Sequence, residues 1–527
     1  MKILFLMDSP EYLRFYDSAV EELAARGHDV AIAVNSQRVR KPVGLEGLRA
    51  YADRVTVLGV VPERTGVWSD VARTVRATMD FVRFLHPRFA AAPALRARIK
   101  RKVLPRPYHW LDAIPRVDAR TVARAERALM AAERAIPVCE PIADFLRDQS
   151  PDVLLVSPLV TAASEQVDWI RGARACGIRT AVCIASWDNL TNKGLLRVEP
   201  DRTLVWNEAQ RREAQEYHYI PAERIAVTGA QLFDRWFART PARDRTSFCQ
   251  RAGLRDERPF VLFTGSSSFI SESSAEVAFV RRWVEALRHS SHRVLRELNV
   301  LIRPHPYNFH RWGDAPFAGE PDVAVFPRQS YNPIEAESRD DFFDSLFHSA
   351  AVVGINTSAM IEAAIIGRPV CTLLAPEFAG TQEGTIHFHH LLPQNGGFLR
   401  IAATLAEHVA QLAEVLECPE TAAAETARFV GSFIRPLGIE RPATPIFADA
   451  VEELAHSPAR APERPAASRY LVRPLLLAAT MPVLAVDAFG DSGVVTRGRK
   501  RIRGYVLRAR KRLAKTGARW KRYFEAA

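Results

Sequence analysis

Asn299-Val300-Leu301-Ile302-Arg303-Pro304-His305-Pro306 is an apolar, strand-length run that stops at an Arg, a His and two prolines. A second run at 350–355 ends in the same way, on Asn356-Thr357-Ser358, and leads into a helix-patterned segment at 359–366. Buried strands that end in polar turns predict an open parallel α/β sheet, in which ligands sit beyond the carboxyl ends of the strands where loop amides and helix N-termini point. An Arg and a His at one strand end, with a hydroxyl pair at another, would surround the phosphates of a nucleotide. The alternative makes His305 a cap on a turn between prolines and Thr357 or Ser358 an ordinary helix N-cap. Two such halves, each at a strand terminus, favour the phosphate cradle.

Outward from this stretch the same alternation continues. Strands are predicted at 3–7, 30–34, 55–60, 153–157, 180–185, 203–206 and 225–228, and a second set at 260–264, 300–302, 323–326, 351–355 and 370–374. Between the first two strands, residues 18–26 carry the apolar spacing of a crossover helix and end at Gly27, which is a βαβ start. Two parallel-sheet domains follow, 1–240 and 255–455, joined near 239–258. The Pro-, Ala- and Arg-rich stretch 459–465 sets off an appendage at 466–527. A chain of 527 residues exceeds what one core serves.

A content of 48% apolar and 25% charged residues is globular rather than disordered. Six cysteines without short paired spacing argue against a zinc site or a disulfide framework and for a reducing, cytoplasmic compartment. The apolar run from Met1 to Met7 is broken by Asp8, too early for a signal peptide. The net charge of +12 lies at one end: 13 of the 72 basic residues and one of the 60 acidic ones fall in 497–527, leaving 59 of each elsewhere. Ile502, Tyr505, Val506, Leu513, Trp520 and Tyr523 interleave with those cations at approximately helical spacing, which suits a helix on the anionic inner face of the plasma membrane; the alternatives are a solvated basic tail or one that binds nucleic acid nonspecifically, and no specific nucleic acid is expected. Upstream, 475–486 is apolar for only twelve residues and contains Pro482, too short to span a bilayer.

The segment 66–135 departs from simple alternation. Arg83, Arg88, Arg96, Arg98, Lys100, Arg101, Lys102 and Arg106 occur there without an acid between Asp80 and Asp112, mixed with aromatic and aliphatic residues. Such a basic helical insertion suits a lipid-linked or polyanionic acceptor; the alternative is a helical cover whose arginines face water.

Two successive Rossmann-like domains, an acceptor half followed by a donor half, resemble the GT-B glycosyltransferases. The finer motifs look like the branch holding the CDP-glycerol glycerophosphotransferases and, more distantly, bacterial sialyl and capsule transferases. That branch carries a Lys/Arg-x-His-Pro segment and a later Ser/Thr-Ser turn at the donor phosphates, similar to Arg303-Pro304-His305-Pro306 and Thr357-Ser358. Its Trp-His-Gly turn with a following Lys and Gly resembles Ser186-Trp187-Asp188-Asn189-Leu190-Thr191-Asn192-Lys193-Gly194, and its Gly-x-x-x-x-Asp turn is similar to Gly229 through Asp234. Trp187, Asn189 and Lys193 are thereby implied at the cleft. Asp188 stands where the glycerophosphotransferases have His. A carboxylate can still accept a proton from an acceptor hydroxyl, but it repels a phosphorylated reactant, which moves the expected reaction from glycerol phosphate toward sugar transfer. An Asx-turn with Asn189 is the alternative for Asp188.

Gly265 and Ser266 close the first strand of the second domain and offer amides to a phosphate. Glu362, Glu377 and Glu383 are candidate ribose or sugar contacts. His387, His389 and His390 have no carboxylate or thiol at ligand spacing, and the resemblance implies metal-free catalysis, so no metal or cofactor is expected. The sequence thus predicts a GT-B transferase acting on a nucleotide-sugar donor and a glycan or lipid-linked acceptor, with Asp188 and His305 as catalytic candidates. A polyol phosphate transferase, a UDP-N-acetylglucosamine 2-epimerase-like enzyme and a non-catalytic membrane or polyanion-binding scaffold are the alternatives.

Overall fold

The computed structural model describes residues 1–34, 50–114, 117–313, 316–329, 336–458 and 468–489. The first sheet is formed by β1 (Lys2–Met7), β2 (Asp29–Val34), β3 (Val55–Val60), β4 (Val153–Ser157), β5 (Arg179–Cys183), β6 (Arg202–Val205) and β7 (Ile225–Val227). All pairs are parallel, in the order β3-β2-β1-β4-β5-β6-β7. The second sheet holds β8 (Phe260–Thr264), β9 (Asn299–Arg303), β10 (Val323–Val325), β11 (Ala351–Gly354), β12 (Val370–Leu373) and β13 (Arg400–Ala402), again parallel, in the order β10-β9-β8-β11-β12-β13. Both orders are doubly wound, and each reverses beside its first strand, where α/β sheets open a crevice. The expected two-domain α/β architecture is borne out. The three-residue β13 was not anticipated, because Arg400-Ile401-Ala402 carries no apolar run long enough to signal a strand.

Helices cover both faces of each sheet, which is why the strands read as continuous apolar runs. Ile3 through Met7 are fully buried, as are Phe260 through Phe263. Two features correct the expected boundaries. The join at 239–258 contains a helix, Arg245–Ala252, N-capped by Asp244 and ended by a left-handed Gly253 (φ +78°); its Phe248 is buried against Phe260 of the second sheet. The helix Ala443–His456, assigned by sequence to the second domain, returns to the first, where Phe447, Val451 and Leu454 pack with Phe5, Tyr16 and Leu23. Asp234 fastens this return, accepting bonds from the Ala443 and Thr444 amides (3.0 and 2.6 Å) and from Arg435 (2.9 Å). The Gly229-to-Asp234 turn is therefore a clamp between halves.

Within the insertion, the helices Val67–Arg83, Pro93–Lys102 and Ala119–Ala135 pack on the first domain. Its arginines are largely structural. Arg76 is buried between Glu133 (2.9 Å) and Asp168 (2.8 Å), and Arg64 pairs with the same Asp168 at 2.7 Å. Arg96 and Lys100 both reach Asp112, at 2.7 and 2.6 Å. The apolar stretch at 475–486 belongs to a longer helix, Ser468–Phe489, which continues through Pro474 and Pro482. Its window Arg469–Val486, with mean hydropathy 1.4, is long and apolar enough to cross a membrane by length and composition, which corrects the twelve-residue reading. The linker at 459–465 and the basic tail at 497–527 lie outside the described residues.

Candidate active site

A cavity of about 530 Å³ lies between the two sheets, lined from both domains. From the second domain it takes in Gly265, Arg303, His305, Asn356, Thr357, Ser358 and Glu362; from the first it takes in Trp187, Asp188, Asn189 and Lys193. The two turns read first in the sequence are thus brought together.

The second domain's half of the site follows from three strand ends side by side. Gly265 after β8 donates its amide to the Arg303 carbonyl of β9 at 2.8 Å, and a Cβ at residue 265 would lie 2.7 Å from the His305 nitrogen. Glycine is needed there because the two loops touch through their backbones. His305 does cap its turn: Nδ1 accepts the Tyr307 amide at 3.1 Å. That bond assigns the neutral ring's proton to Nε2, so capping leaves a donor rather than removing one. Burial, with Arg14 nearby, lowers the His305 pKa to about 4, so the ring is neutral at neutral pH. Arg303 donates through Nη1 to the Asp341 carbonyl (3.3 Å) and Ser345 Oγ (3.1 Å). Burial brings its pKa down to about 10, and it remains a cation.

Thr357 and Ser358 begin the helix Ala359–Ile365, yet the Ser358 side chain makes no capping bond. Its Oγ instead accepts the Trp187 indole N–H at 3.1 Å, a bond from one domain to the other. The Trp187 ring meets His387 edge-on at 4.7 Å. Asn356 Nδ2 donates to the Thr381 carbonyl at 2.7 Å, which fixes its amide beside the cavity. Glu362, one turn into the helix, is raised to about 7 by burial, against the pull of Arg14 and Arg303.

On the first domain's side, the turn after β5 is held from behind by the insertion. Arg83 donates to the carbonyls of Leu190 (2.5 Å), Gly194 (2.9 Å) and Lys193 (3.1 Å). Asn189 Oδ1 accepts the Ala185 amide at 3.2 Å, tying the turn back to the end of β5 rather than closing an Asx-turn, in which the side chain accepts the amide two residues on. Asp188 accepts the side-chain amides of Asn189 and Asn192, both at 3.3 Å, and faces Lys193 at 3.8 Å. Burial by itself would raise its pKa; Lys193, His387, a Ser186 hydrogen bond and Arg98 outweigh it and hold the carboxyl well below the ordinary carboxylate range.

Three candidates fall elsewhere. Ser266 is fully buried behind the loop, its amide committed to Glu276 at 2.7 Å. Glu377 lies outside the cavity, paired with Arg282, and Glu383 is also outside it. Both follow β12 in a segment whose short helical turns direct them to the surface. The histidines separate as well: His387 lines the cavity, His389 bonds the Glu383 carbonyl at 2.7 Å, and His390 bonds Glu213 at 2.6 Å.

Glu11, Tyr12, Arg14 and Arg98 are among the lining residues that sequence reasoning missed. The first three sit just after β1, where the strand-end rule that found Arg303 would have found them. Arg98 donates to Asn192 Oδ1 at 3.2 Å and lies 4.1 Å from the centroid of Phe269 in the second domain. No sequence signal singled it out from the surrounding cations.

No protein-family model and no curated protein matches the sequence. Among solved structures, a putative UDP-N-acetylglucosamine 2-epimerase from Listeria monocytogenes is 13% identical, with a TM-score of 0.50 over 88% of this chain and 98% of that one. The S. aureus MnaA–UDP co-structure is 12% identical, with a TM-score of 0.50 over 88% and 99%. A glycosyltransferase from Rickettsia africae is 12% identical, with a TM-score of 0.48 over 87% and 99%. The likeness is one of fold, and the chain has the GT-B fold.

Proposed function

We propose that the protein is a glycosyltransferase that moves a sugar from a nucleotide-activated donor to a glycan or lipid-linked acceptor in cell-envelope polysaccharide synthesis. The observation that carries this reading is the joint cavity, where a phosphate cradle from one domain faces the Asp188 turn of the other. Its volume suits one nucleotide sugar. His305 Nε2–H, the Arg303 guanidinium and the hydroxyls of Thr357 and Ser358 would hold the donor phosphates, and Glu362 would contact the ribose or sugar. Charge on the departing phosphate would be met by Arg303 and Arg14, in the part that a divalent ion plays elsewhere, so no metal or cofactor is assigned. Domain closure across the Trp187–Ser358 bond would exclude water.

The role of Asp188 is revised. A carboxylate held ionised by cations is a weak proton acceptor, and its bonds to Asn189, Asn192 and Lys193 make it an organiser of the acceptor side. Glu362 lines the same cavity and is a carboxyl that burial raises to about 7.

A nucleotide-sugar 2-epimerase is the second reading, favoured by the same interdomain bond: domains already joined across the cleft suit a reaction without a separate acceptor. Incubating the purified protein with UDP-, CDP- and GDP-sugars, with and without membrane-extracted glycolipid, separates the two. Nucleotide release that requires the acceptor supports transfer. Acceptor-independent change at the sugar identifies the epimerase, and no turnover under either condition opposes both.

A further inference from the structure

We propose that the outward face of the helix Ser468–Phe489 docks on an anionic lipid surface, lying along the membrane rather than crossing it. The face is inverted relative to a water-exposed helix. Every exposed position from 471 to 486 is apolar, including Leu471 at 79%, Leu475 at 69% and Met481 at 58% exposure. Thr480 points inward, 1% exposed, and bonds the Leu476 carbonyl at 2.9 Å. An ordinary surface helix puts its polar residues outside.

The inner face settles the orientation. Leu476 is buried with Val71, Val75 and Met79 of the insertion, and Arg473 donates to the Ala135 carbonyl at 2.9 Å. A helix with a folded domain packed along its side cannot enter a bilayer without stripping that domain away, so length and hydropathy here describe a half-embedded helix. The neighbouring turn Arg106–Ala113 extends the patch: Tyr108 Oη donates to the Ala479 carbonyl at 2.5 Å, and Trp110 is 60% exposed. Indole rings favour the level of lipid headgroups.

Charge selects the lipid. Residues 497–527, which follow this helix after a short interval, hold the chain's whole excess of +12. Apolar insertion beside a polybasic segment gives the two signals that stable peripheral binding requires. Binding of this kind is independent of the reaction catalysed.

The test is vesicle co-sedimentation of the full chain at low salt, using phosphatidylcholine with and without about one-third phosphatidylglycerol. The parent is expected to sediment with the anionic vesicles, and Leu475→Asp with Met481→Asp to lower the bound fraction about tenfold, with an unchanged melting temperature because both side chains are exposed. Sedimentation velocity without lipid is expected to give a monomer for both. Equal sedimentation of parent and double variant, or a parent that ignores anionic vesicles, overturns the proposal. A parent dimer dissociated by the double variant overturns it in favour of a second copy as occupant. Retention of the protein in cell membranes after alkaline carbonate extraction overturns the surface orientation.

Discussion

His305 illustrates how one side chain can serve its turn and its ligand, because the bond to the Tyr307 amide uses Nδ1 and assigns the proton to Nε2. The sequence offered these roles as alternatives; the imidazole has two nitrogens and accommodates both. Glu362 gives a measurable consequence at the same scale. Its folded pKa of about 7 lies above the ordinary 4.5, so its favourable contribution is complete below about pH 4.5 and is lost as pH rises through about 7. Glu362→Gln is therefore expected to stabilise the protein by about 1–3 kcal/mol near pH 8.5 and to change nothing near pH 4, read from melting curves at both. Asp188→Asn keeps the side chain's size, retains one of the two bonds accepted from Asn189 and Asn192, and removes the charge opposite Lys193. Turnover should fall about tenfold, short of the 10² to 10⁴ that loss of a general base costs. A fall of the larger size with unchanged donor affinity would restore Asp188 as the base.

Loops at strand ends make the site, and their spacing depends on what the backbones allow. A Cβ at residue 265 would collide with the His305 backbone, so Gly265→Ala should separate the β8 and β9 loops and weaken nucleotide binding by about tenfold or more, since each charge-assisted phosphate bond is worth about 1.5–3 kcal/mol. Calorimetric affinity equal to the parent's would show that the loops yield without cost. The strands were legible because both faces of each sheet are covered, which leaves uninterrupted apolar runs such as Phe260–Thr264. Arg303, His305 and Ser358 were legible because they end such runs. Glu377 and Glu383 were misplaced because the segment after β12 folds into short helical turns, which direct side chains independently of the sheet. Arg98 was hidden for a different reason: Arg96 and Lys100 on its own helix pair with Asp112, and only the packing of the insertion shows which cation turns to the cleft.

Across the whole molecule, the chain crosses between halves more than once, and the last crossing is the Ala443–His456 helix locked by Asp234. Sequence placed this segment in the second domain and could not show which sheet it would cover, because that depends on a contact more than 400 residues away in sequence, Thr444 Oγ1 to Ser18 Oγ at 3.2 Å. On the proposed reading, the interdomain cavity binds a nucleoside diphosphate through the His305 and Ser358 turns. Isothermal titration calorimetry of the whole protein against UDP, CDP, GDP, dTDP and CMP tests this directly. One site per chain is expected, with a Kd of ~1–100 μM for a preferred nucleoside diphosphate, weakened about tenfold or more by His305→Ala with Ser358→Ala. No binding by any of these nucleotides, or binding that the double variant leaves unchanged, would contradict it.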